Sequence, residues 1–233
     1  MATKRSYADA CGIARALDIV GERWALMIVR ELLLGPKRFT DIRAGLPHLS
    51  PDVLAQRLRD LEEADVVEHH KLPPPASVQV YELTPRGLAL EPVLIALGRW
   101  GGVFAAPPCE GQGMSLDAHL VSLRTLFDPA LAGDFAADVE LRLAGQRFRV
   151  VVGGGRVEVA RGPSAAPDAV IECDPATLIA VLHGHRTLAD AVGAGDLTIG
   201  GDAAVAERFV GLFPLPVGSA QPPAVTTRTP TAS

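Results

Sequence analysis

Apolar positions recur along this chain with two different periods, and the change of period divides it into two blocks. In the first block the spacing is helical. Residues 8–18 read as a short helix weakened by Gly12. Residues 23–34 carry Trp24, Leu26, Met27, Ile28, Val29, Leu32, Leu33 and Leu34, apolar nearly all round, which predicts a central buried helix stopped by Gly35-Pro36. A brief helix is expected over Phe39–Ala44. Ser50-Pro51-Asp52 then supplies a cap, a first-turn proline and an acid at the positive helix end. That helix is predicted to run to about Ala64, with Leu54, Leu58 and Leu61 as its buried stripe. Two extended runs follow, Val66–Leu72 and Val78–Leu83, joined by Pro73-Pro74-Pro75-Ala76-Ser77 as a hairpin with a stiff tip. Thr84-Pro85 caps a long helix expected to reach Trp100, which Pro92 interrupts and is able to kink.

The second block alternates. Strands are predicted at Asp138–Leu143, Phe148–Val152, Arg156–Ala160, Ala169–Cys173 and Leu197–Ile199, with Gly153-Gly154-Gly155 as a hairpin turn. Helices are predicted at Asp117–Phe127, Ala176–His183, Leu188–Val192 and Ala203–Phe213. The resulting class is α+β, with layered helices and sheet. The expected organisation is a first domain over 1–104, a linker over 105–115, a second domain over 116–216 and a disordered Pro/Thr/Ala-rich tail over 217–233.

Composition narrows the function classes. The 233 residues are 48% hydrophobic and 21% charged, which fits globular domains rather than a disordered chain. No apolar run is long enough to span a membrane, and no signal-peptide pattern follows Met1. Cys11, Cys109 and Cys173 are too far apart for a disulfide scaffold and fit a cytoplasmic protein. The formal net charge is −5, so nucleic-acid contact must come from local placement. Such placement exists: Lys37, Arg38, Arg43, Arg57 and Arg59 face only Asp41 and Asp52 over that stretch. Asp60, Glu62, Glu63, Asp65 and Glu68 follow at once.

The order helix, helix, helix, turn, capped helix, hairpin is that of a winged helix-turn-helix. A major groove about 12 Å wide admits one helix, whose leading residues meet base edges. On Ser50–Ala64 the apolar stripe leaves Asp52, Gln56, Arg59 and Glu63 opposite, with Arg57 at the margin. Gln suits adenine and Arg suits guanine. Lys37, Arg38 and Arg43 are expected on phosphate, and His69, His70 and Lys71 on the backbone or minor groove. The alternative for the same residues is an ordinary solvated helix face.

Several segments carry a resemblance. They are Cys11-Gly-Ile-Ala-Arg-Ala-Leu-Asp18, Gly21-Glu-Arg-Trp24, Glu31-Leu-Leu-Leu-Gly-Pro-Lys-Arg-Phe39, Leu49-Ser-Pro-Asp-Val-Leu-Ala-Gln-Arg-Leu-Arg-Asp-Leu-Glu62, Tyr81-Glu-Leu-Thr-Pro-Arg-Gly87 and Leu97-Gly-Arg-Trp100. Together they resemble the HxlR family of bacterial winged helix-turn-helix regulators over about residues 8–102. The resemblance implies a homodimer joined through its first and last helices on a palindromic double-stranded operator. It places Ser50–Ala64 in the major groove and makes Val66–Leu83 the wing. The family often has Lys near Asp52. An acid there either softens phosphate contact or accepts from cytosine. Cys11 matches a cysteine that some relatives use as a thiol sensor; the other reading is a small half-buried residue at the dimer seam.

In the second block, Asp168-Ala-Val-Ile-Glu-Cys-Asp-Pro-Ala-Thr-Leu178, Gly184, Ala189-Asp-Ala, Gly195-Asp-Leu-Thr-Ile-Gly-Gly-Asp-Ala203 and Phe209–Pro214 resemble the sterol-carrier-protein-like lipid-binding domain. That resemblance implies a hydrophobic cavity, for which Leu141, Val150, Val152, Leu178, Leu182, Phe209 and Phe213 are the candidate lining. No catalytic motif is present, so an enzyme is not expected. No cofactor or metal is expected either, because His69-His70 and His183-Gly-His185 lack a Cys or carboxylate partner at a recognised spacing. The expected function is a ligand-responsive, sequence-specific DNA-binding regulator, a repressor in sign. The alternative is a hydrophobic-metabolite carrier or interaction protein that uses its winged helix to dimerise.

Overall fold

A computed structural model describes residues 6–102 and 114–214. The expected linker at 105–115 lies almost wholly outside the described residues. Cys109 and the expected tail at 217–233 lie outside them entirely.

The first block opens with α1 (Gly12–Val20), in which Gly12 is the first residue and so weakens no interior turn. The Sγ of Cys11 accepts the N–H of Ala14 at 3.4 Å as its cap. Then come α2 (Ala25–Leu32), α3 (Phe39–Gly45) and α4 (Pro51–Glu63). The Ser50 hydroxyl accepts the Val53 N–H and Pro51 occupies the first turn, as the sequence signals require. Leu54, Leu58 and Leu61 are buried against Ile28, Val29 and Ile42 in the apolar core.

Strands β1 (Val67–Lys71) and β2 (Gln79–Leu83) pair antiparallel, with Glu68 opposite Glu82 and His69 opposite Tyr81. Lys37 exchanges both backbone hydrogen bonds with Tyr81, at 3.0 and 2.8 Å, and so fastens the α2–α3 connection to the hairpin's base.

The long helix after Thr84 does not form. It divides into α5 (Pro85–Leu88) and α6 (Glu91–Gly102). Pro92 is the cause: a proline without its N–H is costly inside a helix but tolerated in a first turn, so α6 starts afresh beside it instead of kinking.

The second block begins with α7 (Leu116–Leu126) and the short α8 (Pro129–Ala132), which no sequence signal was read as predicting. Five strands follow: β3 (Ala137–Leu143), β4 (Gln146–Gly153), β5 (Arg156–Arg161), β6 (Ala169–Cys173) and β7 (Leu197–Gly201). Their order is β5-β4-β3-β6-β7, with β3–β6 parallel and the other pairs antiparallel. Ala144-Gly145 and Gly154-Gly155 close the two hairpins with all four residues at positive φ, the geometry that matches strand twist. Helices α9 (Pro175–Leu182), α10 (Leu188–Gly193) and α11 (Ala203–Val210) complete the block.

One face of the sheet packs on helices through Val139, Leu141, Phe148, Val150 and Ile171, all fully buried. A single apolar cluster runs through both blocks. Among the described residues, no helix is long and apolar enough to cross a membrane.

Leu58 makes the packing testable. Leu58→Ala should lose about 2–5 kcal/mol in chemical denaturation followed by tryptophan fluorescence. Val53→Ala, on the exposed side of the same helix, should stay within about 0.5 kcal/mol of the parent.

Candidate nucleic-acid interface

Helix α4 presents two faces because Leu54, Leu58 and Leu61 take one of them. Asp52, Gln56, Arg59 and Glu63 stand exposed on the other. Three of its polar groups are joined through Asp60. Gln56 Nε2 donates to Asp60 Oδ1 at 2.8 Å, Arg57 donates to Asp60 Oδ2 at 2.6 Å, and Arg59 donates to Gln56 Oε1 at 2.7 Å. The Gln56 and Arg59 contacts are exposed, so they hold about 1 kcal/mol or less and yield readily to a competing base or phosphate.

Arg57 is placed differently from its neighbours. Its guanidinium is half-buried and turned to Glu22, at 3.6 Å, as well as to Asp60. It ties α4 to the turn after α1 and is not aimed outward with Gln56 and Arg59. Arg38 is open to solvent, with only a loose 3.8 Å approach to Asp41, and Arg43 is exposed. Ser50 is spent on its cap. On the hairpin, Lys71 is exposed and His70 lies 3.5 Å from Glu82.

Lys37 corrects the sequence reading. It does not reach outward to phosphate. Its ammonium is buried, donating to Glu31 Oε2 at 2.8 Å and paired with Asp117. Glu31 is fully buried. Its other oxygen accepts from Arg30 at 2.9 Å and from the Ser115 hydroxyl at 2.7 Å. Asp117, 2% exposed, is paired in turn with Arg161, which donates to Gln146 Oε1 at 2.7 Å and lies over the Phe148 ring. The network therefore runs from β4 and β5 through α7 to α2 and the base of the hairpin. Gly45, at the end of α3, passes so close to the Glu31 carboxylate that any side chain there would displace it. Glu31 stands inside a run that is apolar nearly all round, between Val29 and Leu32; an acid within such a run, with Lys37 soon after, is the sequence signal for a buried ion pair.

The seven residues expected to line an apolar cavity lie together in the buried core of the second block. Leu141, Val150, Val152, Leu178, Leu182, Phe209 and Phe213 are packed together at 9% exposure or less, with Phe209 edge-on to Phe213 at 5.0 Å. A cleft of about 510 Å³ instead lies at the domain junction beside Lys37, Asp117 and Arg161. Cys11 is exposed at its helix cap. Cys173 is half-buried, and burial followed by the Asp174 charge pushes its thiol up to about 11.

The HxlR-like helix-turn-helix family model matches residues 19–108, and the SCP-2 sterol transfer family model matches residues 130–214. The chain belongs to the HxlR-like helix-turn-helix transcriptional regulators, a DNA-binding class, and carries an SCP-2 domain behind the regulator domain. It is 40% identical over 93 residues to the uncharacterized HTH-type transcriptional regulator YvaP of Bacillus subtilis, covering 40% of this chain and 86% of that one. It is 37% identical over 92 residues to the HTH-type transcriptional regulator YodB of the same organism, covering 40% and 82%. The solved reduced form of YodB aligns at a TM-score of 0.38 and 34% identity, over 43% of this chain and all of that one.

Acid should expose the junction in two stages. Burial, with His183 and Arg30 nearby, holds His119 on α7 below its ordinary 6.5 despite a hydrogen bond to Ser115. Burial would raise the Glu31 carboxyl, but the Lys37 charge and hydrogen bonds from Lys37, Ser115 and Arg30 outweigh it and bring the net shift below the ordinary 4.5. Both groups bind a proton more weakly folded than unfolded. Their contributions are therefore complete above those ordinary values and are lost as pH falls through the folded ones. Urea midpoints should fall first below pH 6.5 and again below pH 4.5. His119→Gln should make the upper stage shallower and Glu31→Gln the lower one. Residual slopes remain from His183, which is depressed by burial, and from Glu140 and Asp174, which are depressed by hydrogen bonds from Arg142 and Thr177.

Proposed function

We propose that the protein is a homodimeric repressor that reads a palindromic operator with α4 and is restrained by its SCP-2 domain. One observation carries the reading. The exposed face of α4 offers Gln56 and Arg59 on loosely held contacts, while Arg38, Arg43 and Lys71 stand exposed on the neighbouring elements. Gln56 and Arg59 are the base-reading pair. Arg38, Arg43 and Lys71 are the phosphate contacts, each worth a salt slope of roughly 0.9. Asp52 sits in the first turn, where an acceptor suits cytosine. Arg57 positions α4 through Glu22 and Asp60.

Dimerisation is supported by exposed apolar surface. Ile13 and Leu17 on α1, and Val93, Leu97 and Trp100 on α6, are 40–74% exposed, and α6 buries none of its residues within the chain. Such a surface on the first and last helices of the domain is suited to a second copy.

The effector of this reading is a small apolar molecule taken by the SCP-2 domain. The expected lining residues are buried, so a ligand gains entry by stabilising a parted state of sheet and helices, and it regulates only through unequal affinity for the two states. Asp117 and Arg161 then carry that difference to Lys37 and α2. The carrier reading uses the same domain but requires no specific duplex.

The test is quantitative. Arg59→Ala and Gln56→Ala should each cost about 1–3 kcal/mol in specific-duplex affinity and relax sequence preference, whereas Arg38→Ala should lower the salt slope by about 1 at every sequence. Leu97→Glu should yield monomers in analytical ultracentrifugation. Unchanged specific affinity in both α4 variants would exclude the base-reading assignment and favour the carrier.

A further inference from the structure

The wing carries a group of side chains that DNA reading does not use. Glu68 and His70 are alternate residues of β1 and so share a face. The hairpin register sets Glu82 of β2 directly opposite Glu68. Their donor atoms, one from each residue, all lie within 4.8 Å of one another. Like charges directly opposite across a ladder oppose pairing. Among the described residues neither carboxylate has a Lys or Arg partner, and the group nearest Glu82 is His70 Nε2, at 3.5 Å. The other ring nitrogen of His70, Nδ1, is buried without a hydrogen-bond partner. A hairpin meant to approach phosphates therefore holds two facing carboxylates, with an imidazole whose nitrogens are only loosely used.

We propose that Glu68, His70 and Glu82 form a divalent transition-metal site on the wing, with Zn²⁺ as its representative ion. One imidazole and two carboxylates make an N/O donor set that suits such ions. Ligand atoms about 2.0–2.2 Å from zinc at tetrahedral angles lie roughly 3.4 Å apart, so side-chain rotation closes the cluster without moving the strands. The ion replaces the cross-strand repulsion with attraction and adds two positive charges to the wing. Three protein donors leave a coordination position open. Resting on the DNA-reading proposal above, that position takes a phosphodiester oxygen, making operator affinity metal-dependent. The sequence spacing concealed this site because its third ligand comes from the opposite strand.

The experiment uses the full chain, stripped with chelator and titrated with Zn²⁺ against a chromophoric chelator, with Co²⁺ absorption as a second reading. One ion per chain is expected. His70→Ala and Glu82→Gln should weaken binding at least tenfold while circular dichroism stays unchanged. His69→Ala should retain full affinity, since that ring stacks on Tyr81 at 4.4 Å on the other face. His185→Ala should also retain it. Absence of binding, or loss in His185→Ala in place of His70→Ala, overturns the site. In the second arm, Zn²⁺ should raise duplex affinity of the parent at least tenfold and leave Glu82→Gln unmoved. Metal binding at the wing with duplex affinity unchanged overturns the phosphate bridge alone. A protein that binds Zn²⁺ through His70 yet binds no duplex under any condition supports the site and counts against the operator reading.

Discussion

Two acids out of water, Glu31 and Asp117, set the terms on which the two domains meet. A buried carboxylate is costly unless it is paired and hydrogen-bonded. Neither acid is provided for by its own domain alone. Glu31 takes Arg30 and Lys37 from the regulator domain but needs the Ser115 hydroxyl from the start of the second. Asp117, in the first turn of α7, takes Arg161 from the sheet and Lys37 from across the boundary. Around this centre the α6–α7 contact is reinforced by Arg124, which reaches Glu91 on one side and the Val159 carbonyl on the other, and by Arg99 donating to the Thr125 carbonyl at 3.0 Å. A junction assembled this way has a defined geometry, because buried ion pairs lose most of their value when misaligned.

The parts of the structure that could be read in advance are those fixed by short-range chemistry. Ser50-Pro51-Asp52 makes a helix start wherever it stands before an apolar stripe, and α4 begins there. Alternating valines made the sheet recognisable, although nothing local could announce that β3 and β6 run parallel across the intervening β4–β5 hairpin. Pro92 marks an interruption in the sequence, and the structure resolves it as a fresh helix start and not a kink, since a proline's effect depends on whether the helix can restart beside it. Lys37 and Arg57 look like any other exposed bases in the sequence. Their burial depends on Asp117 and Glu22, which tertiary contact brings near. The same limitation hid Glu82 from His70.

The SCP-2 domain illustrates a different boundary between pattern and structure. Apolar residues alternating on strands require a buried face, but the same pattern serves a cavity or a solid core. Phe148, Phe209 and Phe213 are the largest side chains buried there. The outer face of the sheet is held by charge instead: Arg149 meets Asp138 at 2.6 Å, and the nearly buried Glu140 accepts from Arg142 and the Ser164 N–H at 2.7 and 2.9 Å. A sheet braced on both faces resists bending as a unit.

The backbone bridge between Lys37 and Tyr81 ties the domain junction to the hairpin of the helix-turn-helix domain. Lys37 is held at both ends, its ammonium by the acids and its main chain by the hairpin. Together with the Ser115–Glu31 hydrogen bond, it makes α7, α2 and the hairpin one braced unit, so that loosening any of the three loosens its neighbours.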